Sequence, residues 1–373
     1  MSAGRRRGGP RLVYQAQVAA PVPEITPGRQ PRVSVIIPCY NYGHYLPTAV
    51  ESALSQEGVE PEVIIVDDAS TDDSAAVAEG LARADSRVAV IRQHRNRGHV
   101  ETFNAGYAVA SGEFIVRLDA DDLLTPGSLT RSVTLFDNFP RVGLVYGHPL
   151  HFMTDIPSKA RTTVRGWSVW SGEDWVAQQC RTAVTCITTP EAMIRASVMR
   201  STGPLSTALK YAQDMEMWLR TAAVSDVGRV DGPDQAFHRE HAASMSETYG
   251  KLVDLAERRA VFDTLFSGLG SRMRRATELH RTARSALADE ALADACRAYD
   301  RGRTGAVNVQ DYIEFALATW PEARQLPHWR ALRRRQRAGA RLSSIPPLFT
   351  ATVVGRRLRW EISYRRWQRT GQW

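Results

Sequence analysis

Phe114-Ile115-Val116-Arg117-Leu118-Asp119-Ala120-Asp121-Asp122 is the stretch that decides the fold. A mostly apolar run that stops at three carboxylates within four residues reads as a buried strand whose end carries a charge cluster. Crowded carboxylates repel one another unless a cation or strong donors answer them. Upstream, the apolar residues 33–37 run into Pro38-Cys39-Tyr40-Asn41, and residues 63–66 run into Asp67-Asp68. Three polar clusters thus fall at three strand ends, which is where an open α/β sheet builds its ligand crevice.

Between these strands the apolar period lengthens to that of helices. Leu46, Val50, Ala53 and Leu54 share one helical face, and residues 74–85 follow with Val77 and Leu81 turned inward. A strand over 88–91, a helix over 102–110, and a helix opened by Pro126 with Leu129, Val133 and Phe136 on one face complete the alternation. Strands alternating with helices predict an α/β fold with a mostly parallel sheet and flanking helices. From 142 to 230 the pattern loosens, apart from a helix expected near 213–223. Trp167, Trp170 and Trp175 there suit either an acceptor-binding wall or plain core. Beyond Tyr249 the chain turns helical to about 337. The expected division is a disordered arm over 1–30, a catalytic domain over 31–248, a helical C-terminal region over 249–340 and a basic aromatic tail over 341–373.

The 373 residues, 43% hydrophobic and 24% charged, suffice for a large globular core. The net charge of +8 is unevenly spread: residues 330–373 carry twelve arginines against Glu361, a net +11, which leaves −3 for the remainder. Basicity therefore describes the tail rather than the crevice. Cys39, Cys180, Cys186 and Cys296 form no Cys-x-x-Cys, which argues against structural zinc and for a reducing, cytoplasmic setting. Arg5 to Arg7 are followed by no continuous apolar segment of the kind a secretory leader needs, and no run approaches the roughly 18 apolar residues of a membrane span. Gly268-Leu269-Gly270 lacks the third glycine and preceding strand of a dinucleotide fingerprint. A Gly-x-x-x-x-Gly-Lys phosphate loop and a Gly-x-Ser-x-Gly elbow are both absent.

Each polar cluster alone also reads as a turn or a helix cap. Their order and spacing do more. Pro38-x-Tyr40-Asn41, Val66-Asp67-Asp68-x-Ser70-x-Asp72, Asn96-Arg97-Gly98 with Asn104, and Gly112-Glu113-x-Ile115 leading to Asp119-x-Asp121-Asp122 resemble the family 2 inverting glycosyltransferases of the GT-A fold. The resemblance spans residues 32–246. It implies a donor site formed by Pro38, Tyr40, Asn41, Asp67, Asp68, Asn96, Arg97, Gly98, Asn104, Asp119 and Ala120. Within it, Pro38 and Tyr40 would touch the nucleotide base, Asp68 would accept from a base N–H, and Asp67 would support that loop. Arg95 and Arg97 read either as added positive charge for the site or as solvated loop residues.

The resemblance also implies a divalent cation, Mn²⁺ or Mg²⁺, held by Asp121 with Asp119 and His241 against the diphosphate of a nucleoside diphosphate sugar, UDP first among them. Asp214, in Gln213-Asp214-Met215-Glu216, matches the family's late acidic motif and would be the general base, although Gln213 stands where the family often has Glu. His241 belongs to a closing motif, Arg239-x-His241-x-x-Ser244-x-Ser246. The acceptor, a hydroxyl or amine on a polysaccharide, glycolipid or secondary metabolite, stays open. So do rival readings: a non-catalytic binding protein on the same fold, a retaining transferase, or a nucleotidyltransferase. In the tail, Trp360, Tyr364 and Trp367 form one helical stripe among arginines. That stripe suits peripheral contact with the inner face of a membrane, packing on the protein's own core, or self-association; nucleic acid is the weaker partner, since no reader motif surrounds the charge.

Overall fold

The computed structural model describes residues 17–18, 29–241, 250–305, 307–345 and nine positions between 354 and 367. The rest of the expected N-terminal arm, the boundary near 248, Ser244 and Ser246 of the closing motif, and Pro346, Pro347, Arg356, Arg359 and Trp360 of the tail lie outside the described residues.

Ten strands form one sheet: β1 (Gln17–Val18), β2 (Arg32–Cys39), β3 (Glu60–Asp67), β4 (Val88–Arg92), β5 (Phe114–Arg117), β6 (Leu123–Leu124), β7 (Val142–Phe152), β8 (Gly166–Trp170), β9 (Met193–Arg195) and β10 (Asp226–Arg239). Their order is β1-β8-β10-β7-β9-β5-β2-β3-β4, with β6 paired to β10. β4, β3, β2 and β5 are mutually parallel, β9 runs antiparallel to both its neighbours, and β7 and β10 are again parallel to each other. Among the described residues the α-helices with continuous bounds are α1 (Leu46–Leu54), α2 (Ser74–Ala84), α3 (His99–Val109), α4 (Ser128–Asn138), α5 (Gly172–Thr182), α6 (Ala196–Thr202), α7 (Gln213–Ala222), α8 (Lys251–Ser267), α9 (Ala276–Asp300), α10 (Val309–Thr319) and α11 (Pro327–Ser343).

The central strands carry consecutive apolar residues because helices cover both faces of the sheet. Val33, Val35 and Ile37 of β2 pack with Val63 and Ile65 of β3 and with α1, α2 and α4 on one face. Ile36, Ile64, Val66 and Ile115 pack with α3, α5 and α7 on the other. Gly106 allows α3 its close approach, since a Cβ there would sit 2.6 Å from the Ile36 methyl. β2 leads outward through β3 and β4, and the chain then returns to β5 on the other side of β2. That reversal opens a crevice above the carboxyl ends of β2 and β5.

The second half of the sheet is more regular than its sequence suggests. β7 and β10 pair along most of their lengths, with register shifts near Arg229 and Asp234. Trp167, Trp170 and Trp175 are buried in the core and form no acceptor wall. Leu255, Phe262, Leu287, Leu292, Ile313 and Leu332 of the C-terminal helices belong to the same apolar cluster as Ile36, Tyr146 and Trp218, so this region shares a core with the sheet. The expected arm contributes one ordered element, β1, antiparallel to β8. All four cysteines are buried and none forms a disulfide. No helix among the described residues is long and apolar enough to cross a membrane.

Candidate active site

A cleft of about 740 Å³ opens where the strand ends predict it. Pro38, Tyr40 and Tyr42 form one wall after β2, and Asp68 stands after β3. Asp68 grips the loop that follows β4: its two oxygens accept from the backbone N–H of Arg97 at 2.7 Å and of Gly98 at 2.9 Å. Gly98, at φ +81°, supplies the left-handed turn that presents this amide. Asn96 and Gly98 also line the cleft.

Three of the predicted donor residues are committed elsewhere. Asn41 adopts φ +58° and its Oδ1 accepts from the backbone N–H of Thr71 at 2.7 Å, pinning the loop after β2 to the loop after β3. Asn104 faces away from the cleft and exchanges two hydrogen bonds with the Leu205 backbone, each 2.9 Å, because α3 must anchor the chain ahead of α7. Arg97 contributes its backbone N–H, while its guanidinium pairs with Glu101 at 2.5 Å. Asp67 is buried beneath the cleft floor, with its carbonyl accepting from Gln93 N–H at 2.9 Å.

The acidic turn after β5 spreads its three carboxylates to three partners. Asp119 accepts from Arg117, a buried guanidinium at the strand's end, at 2.9 Å. Asp121 meets His241 Nε2 at 2.9 Å, and His241 also lies 3.2 Å from the Tyr42 hydroxyl. Asp122 is buried, pairs with His238 Nδ1 at 3.0 Å and accepts from the Arg239 backbone N–H at 2.8 Å. Burial raises the Asp121 pKa and the charge of Asp119 raises it further. Burial likewise pushes Asp122 up to about 6. Burial would lower His238, but the Asp122 hydrogen bond and charge prevail and carry it up to about 9.

The predicted metal trio is therefore not gathered around one point. Arg117 claims Asp119, while Asp121 and His241 contact each other, and no group of three His, Cys, Asp or Glu side chains among the described residues is disposed to hold a metal. Asp121 and His241 nonetheless bring a carboxylate oxygen and an imidazole nitrogen to the same place. The raised affinity of Asp121 for a proton marks an excess of buried negative charge that a cation would relieve.

Across the cleft, α7 presents Asp214 from its first turn. Burial raises the Asp214 pKa, opposed by the charge of Arg117. Gln213 is buried beside it, with Nε2 2.5 Å from His99 Nε2. Burial and then the Arg117 charge lower the His99 pKa, which favours a neutral imidazole that can accept from the Gln213 amide. The loop before α7 is held from the C-terminal region: Glu257 of α8 accepts from the backbone N–H groups of Lys210, Tyr211 and Ala212 at 2.8 to 3.1 Å.

Sequence reading missed Arg117, His99 and Glu257. A lone arginine inside an otherwise apolar strand was the signal for the first. A histidine directly after the Asn96-Arg97-Gly98 turn was the signal for the second. Glu257 gave none, because its partners are backbone amides 45 to 47 residues away.

The sequence of residues 34–201 matches the family model described as glycosyl transferase family 2. An uncharacterized protein of Mycobacterium tuberculosis is 30% identical over 264 residues, 66% of this chain and 76% of that protein. An uncharacterized glycosyltransferase of Nostoc sp. is 42% identical over 116 residues, but the match spans only 36% of that protein and 31% of this chain. Among solved structures, residues 1–349 of Staphylococcus aureus TarS in complex with UDP-GlcNAc superpose with a TM-score of 0.50 at 17% identity, covering 79% of this chain and 92% of that one. The likeness to TarS is one of fold, a GT-A type sheet with flanking helices. Together with the ordered motifs around the cleft, these matches establish that the chain belongs to glycosyl transferase family 2.

Proposed function

We propose that the protein transfers a sugar, with inversion, from a nucleoside diphosphate sugar to an acceptor hydroxyl or amine, with Asp214 as general base. One observation carries this reading: the Asp119 to Asp121 turn and Asp214 face the same cleft from opposite elements, one beside the expected diphosphate and the other beside the expected acceptor. The UDP-GlcNAc held by TarS makes a UDP-linked donor the first to test.

In this reading the base of the donor lies against Pro38 and Tyr40, above the loops that Asp68 and Asn41 tie together. Asp214 accepts the acceptor's proton as its oxygen or nitrogen attacks the anomeric carbon. The bond from that carbon to the diphosphate breaks on the opposite face, and the nucleoside diphosphate leaves. Asp121 and His241 would hold a divalent cation, Mn²⁺ or Mg²⁺, with Asp119 alongside. When bound it offsets the charge that collects on the leaving diphosphate. Arg117 works from the protein side, keeping Asp119 in place and its own charge near Asp214.

A panel of nucleotide sugars screened for thermal stabilisation with Mn²⁺ identifies the donor, since binding to the native state raises apparent stability. With that donor, Asp214→Asn should bind with unchanged affinity and fail to transfer. Full transfer by this variant would move the base elsewhere, and a product that keeps the donor's anomeric configuration would overturn inversion.

A further inference from the structure

Trp367, the last residue of the tail's aromatic stripe, does not face outward. Described residues from Val354 to Trp367 are helical, and Trp367 is only 5% exposed. Its indole N–H donates to the Cys186 carbonyl at 3.2 Å, and its ring lies 4.9 Å from His148 and 5.7 Å from Tyr364. This docking leaves a different face in solvent. Val354, Leu358 and Ile362 are 50%, 57% and 66% exposed. At about 100° per residue these three fall within an arc of roughly 80°, centred about opposite Trp367. Leu342 and Ile345, at the end of α11, are also about half exposed. Exposed large apolar residues elsewhere in the described chain are scattered, whereas here they form one ridge.

Arg357, about 60° to one side of the ridge, and Arg365, in line with it and paired with Glu361 at 3.0 Å, are exposed, as are Arg333, Arg334, Arg337 and Arg341 of α11. The charge selects the occupant. A second copy of this tail would bring another +11 against the first, whereas an anionic lipid surface answers both the arginines and the apolar ridge. We propose that the C-terminal helix lies on an anionic bilayer surface through Val354, Leu358 and Ile362, anchored on its protein side by Trp367. This goes beyond the sugar-transfer reading and does not depend on it.

The test is co-sedimentation of the full chain with vesicles of phosphatidylcholine containing one quarter phosphatidylglycerol, and with pure phosphatidylcholine vesicles. Binding should be at least tenfold tighter to the anionic vesicles and should weaken as salt is raised. Leu358→Ser with Ile362→Ser should reduce that binding at least tenfold while leaving circular dichroism and thermal midpoint unchanged. Arg357→Glu with Arg365→Glu should reduce it independently. Equal binding to both vesicle types, no binding to either, or unaltered binding by both double variants would overturn the proposal. So would light scattering that showed a dimer dissolved by the serine substitutions in the absence of lipid.

Discussion

Replacing Glu257 by alanine tests whether the helical region takes part in catalysis. Its carboxylate accepts from three successive backbone N–H groups just ahead of α7, the helix that carries Asp214. Hydrogen bonds to a charged acceptor are each worth about 1.5–3 kcal/mol, and neutral ones about 1. Glu257 is partly exposed, so water can take over some of the amides and the lower figure is apt. Three bonds at about 1 kcal/mol each give roughly 3 kcal/mol. If about half to nearly all of that is felt in the placement of Asp214, kcat/KM falls about ten- to a hundredfold, at about 1.4 kcal/mol per factor of ten. The loss should fall mainly on kcat, because the donor wall of the cleft is untouched. Glu257→Gln keeps an acceptor oxygen but loses the negative charge that suits a helix start, so its defect should be intermediate. Steady-state transfer assays with both variants, beside urea unfolding curves, make the comparison. An alanine variant whose kcat/KM lies within twofold of the parent would refute the reasoning.

Other outcomes follow from the same geometry. Because burial raises the Asp214 pKa, the group stays protonated, and unable to act as base, to a higher pH than a solvated carboxylate; transfer should therefore climb with pH through that raised value. Arg117→Gln removes the charge that opposes the rise, so the acid limb of the pH–rate profile should move to higher pH; an unmoved limb would separate Arg117 from Asp214. Asp121→Ala should lower transfer by orders of magnitude and abolish Mn²⁺-dependent stabilisation by the donor while the protein stays folded, as calorimetry with and without Mn²⁺ would register. Asn104→Ala should cost about 1–3 kcal/mol in urea unfolding through its two lost bonds to Leu205 and leave donor affinity within about twofold.

The first half of the fold was legible because strands buried on both faces stand out as unbroken apolar runs. Residues 33–37 and 63–66 sit within the observed β2 and β3. The second half was not, since β7 and β10 gain their regularity from each other across the sheet. Gly147-His148-Pro149 lies inside β7 and Gly232-Pro233 at a register shift of β10, although glycine and proline are poor strand residues. The cleft's acids were readable as a motif, and His241 was expected with Asp121, but Arg117 and His238 were not read as partners. Asp119, Asp121 and Asp122 pair with Arg117, His241 and His238, which stand at the end of β5, just past β10 and at the far end of β10. Asn41 and Asn104 sat in the right motifs and turned out to tie loops together. The tail stripe likewise showed its period in the sequence, but only the contact of Trp367 with Cys186 shows which side faces the protein.

The cluster that joins Ile36 and Trp218 to Leu287 and Leu332 limits how this protein can be cut or recombined. A fragment ending near residue 248 would keep every donor loop and lose the helices that pack on α5 and α7, leaving the apolar outer faces of those two helices in water. Such a truncation should precipitate, whereas grafts confined to the loops above the strand ends would leave the foundation whole.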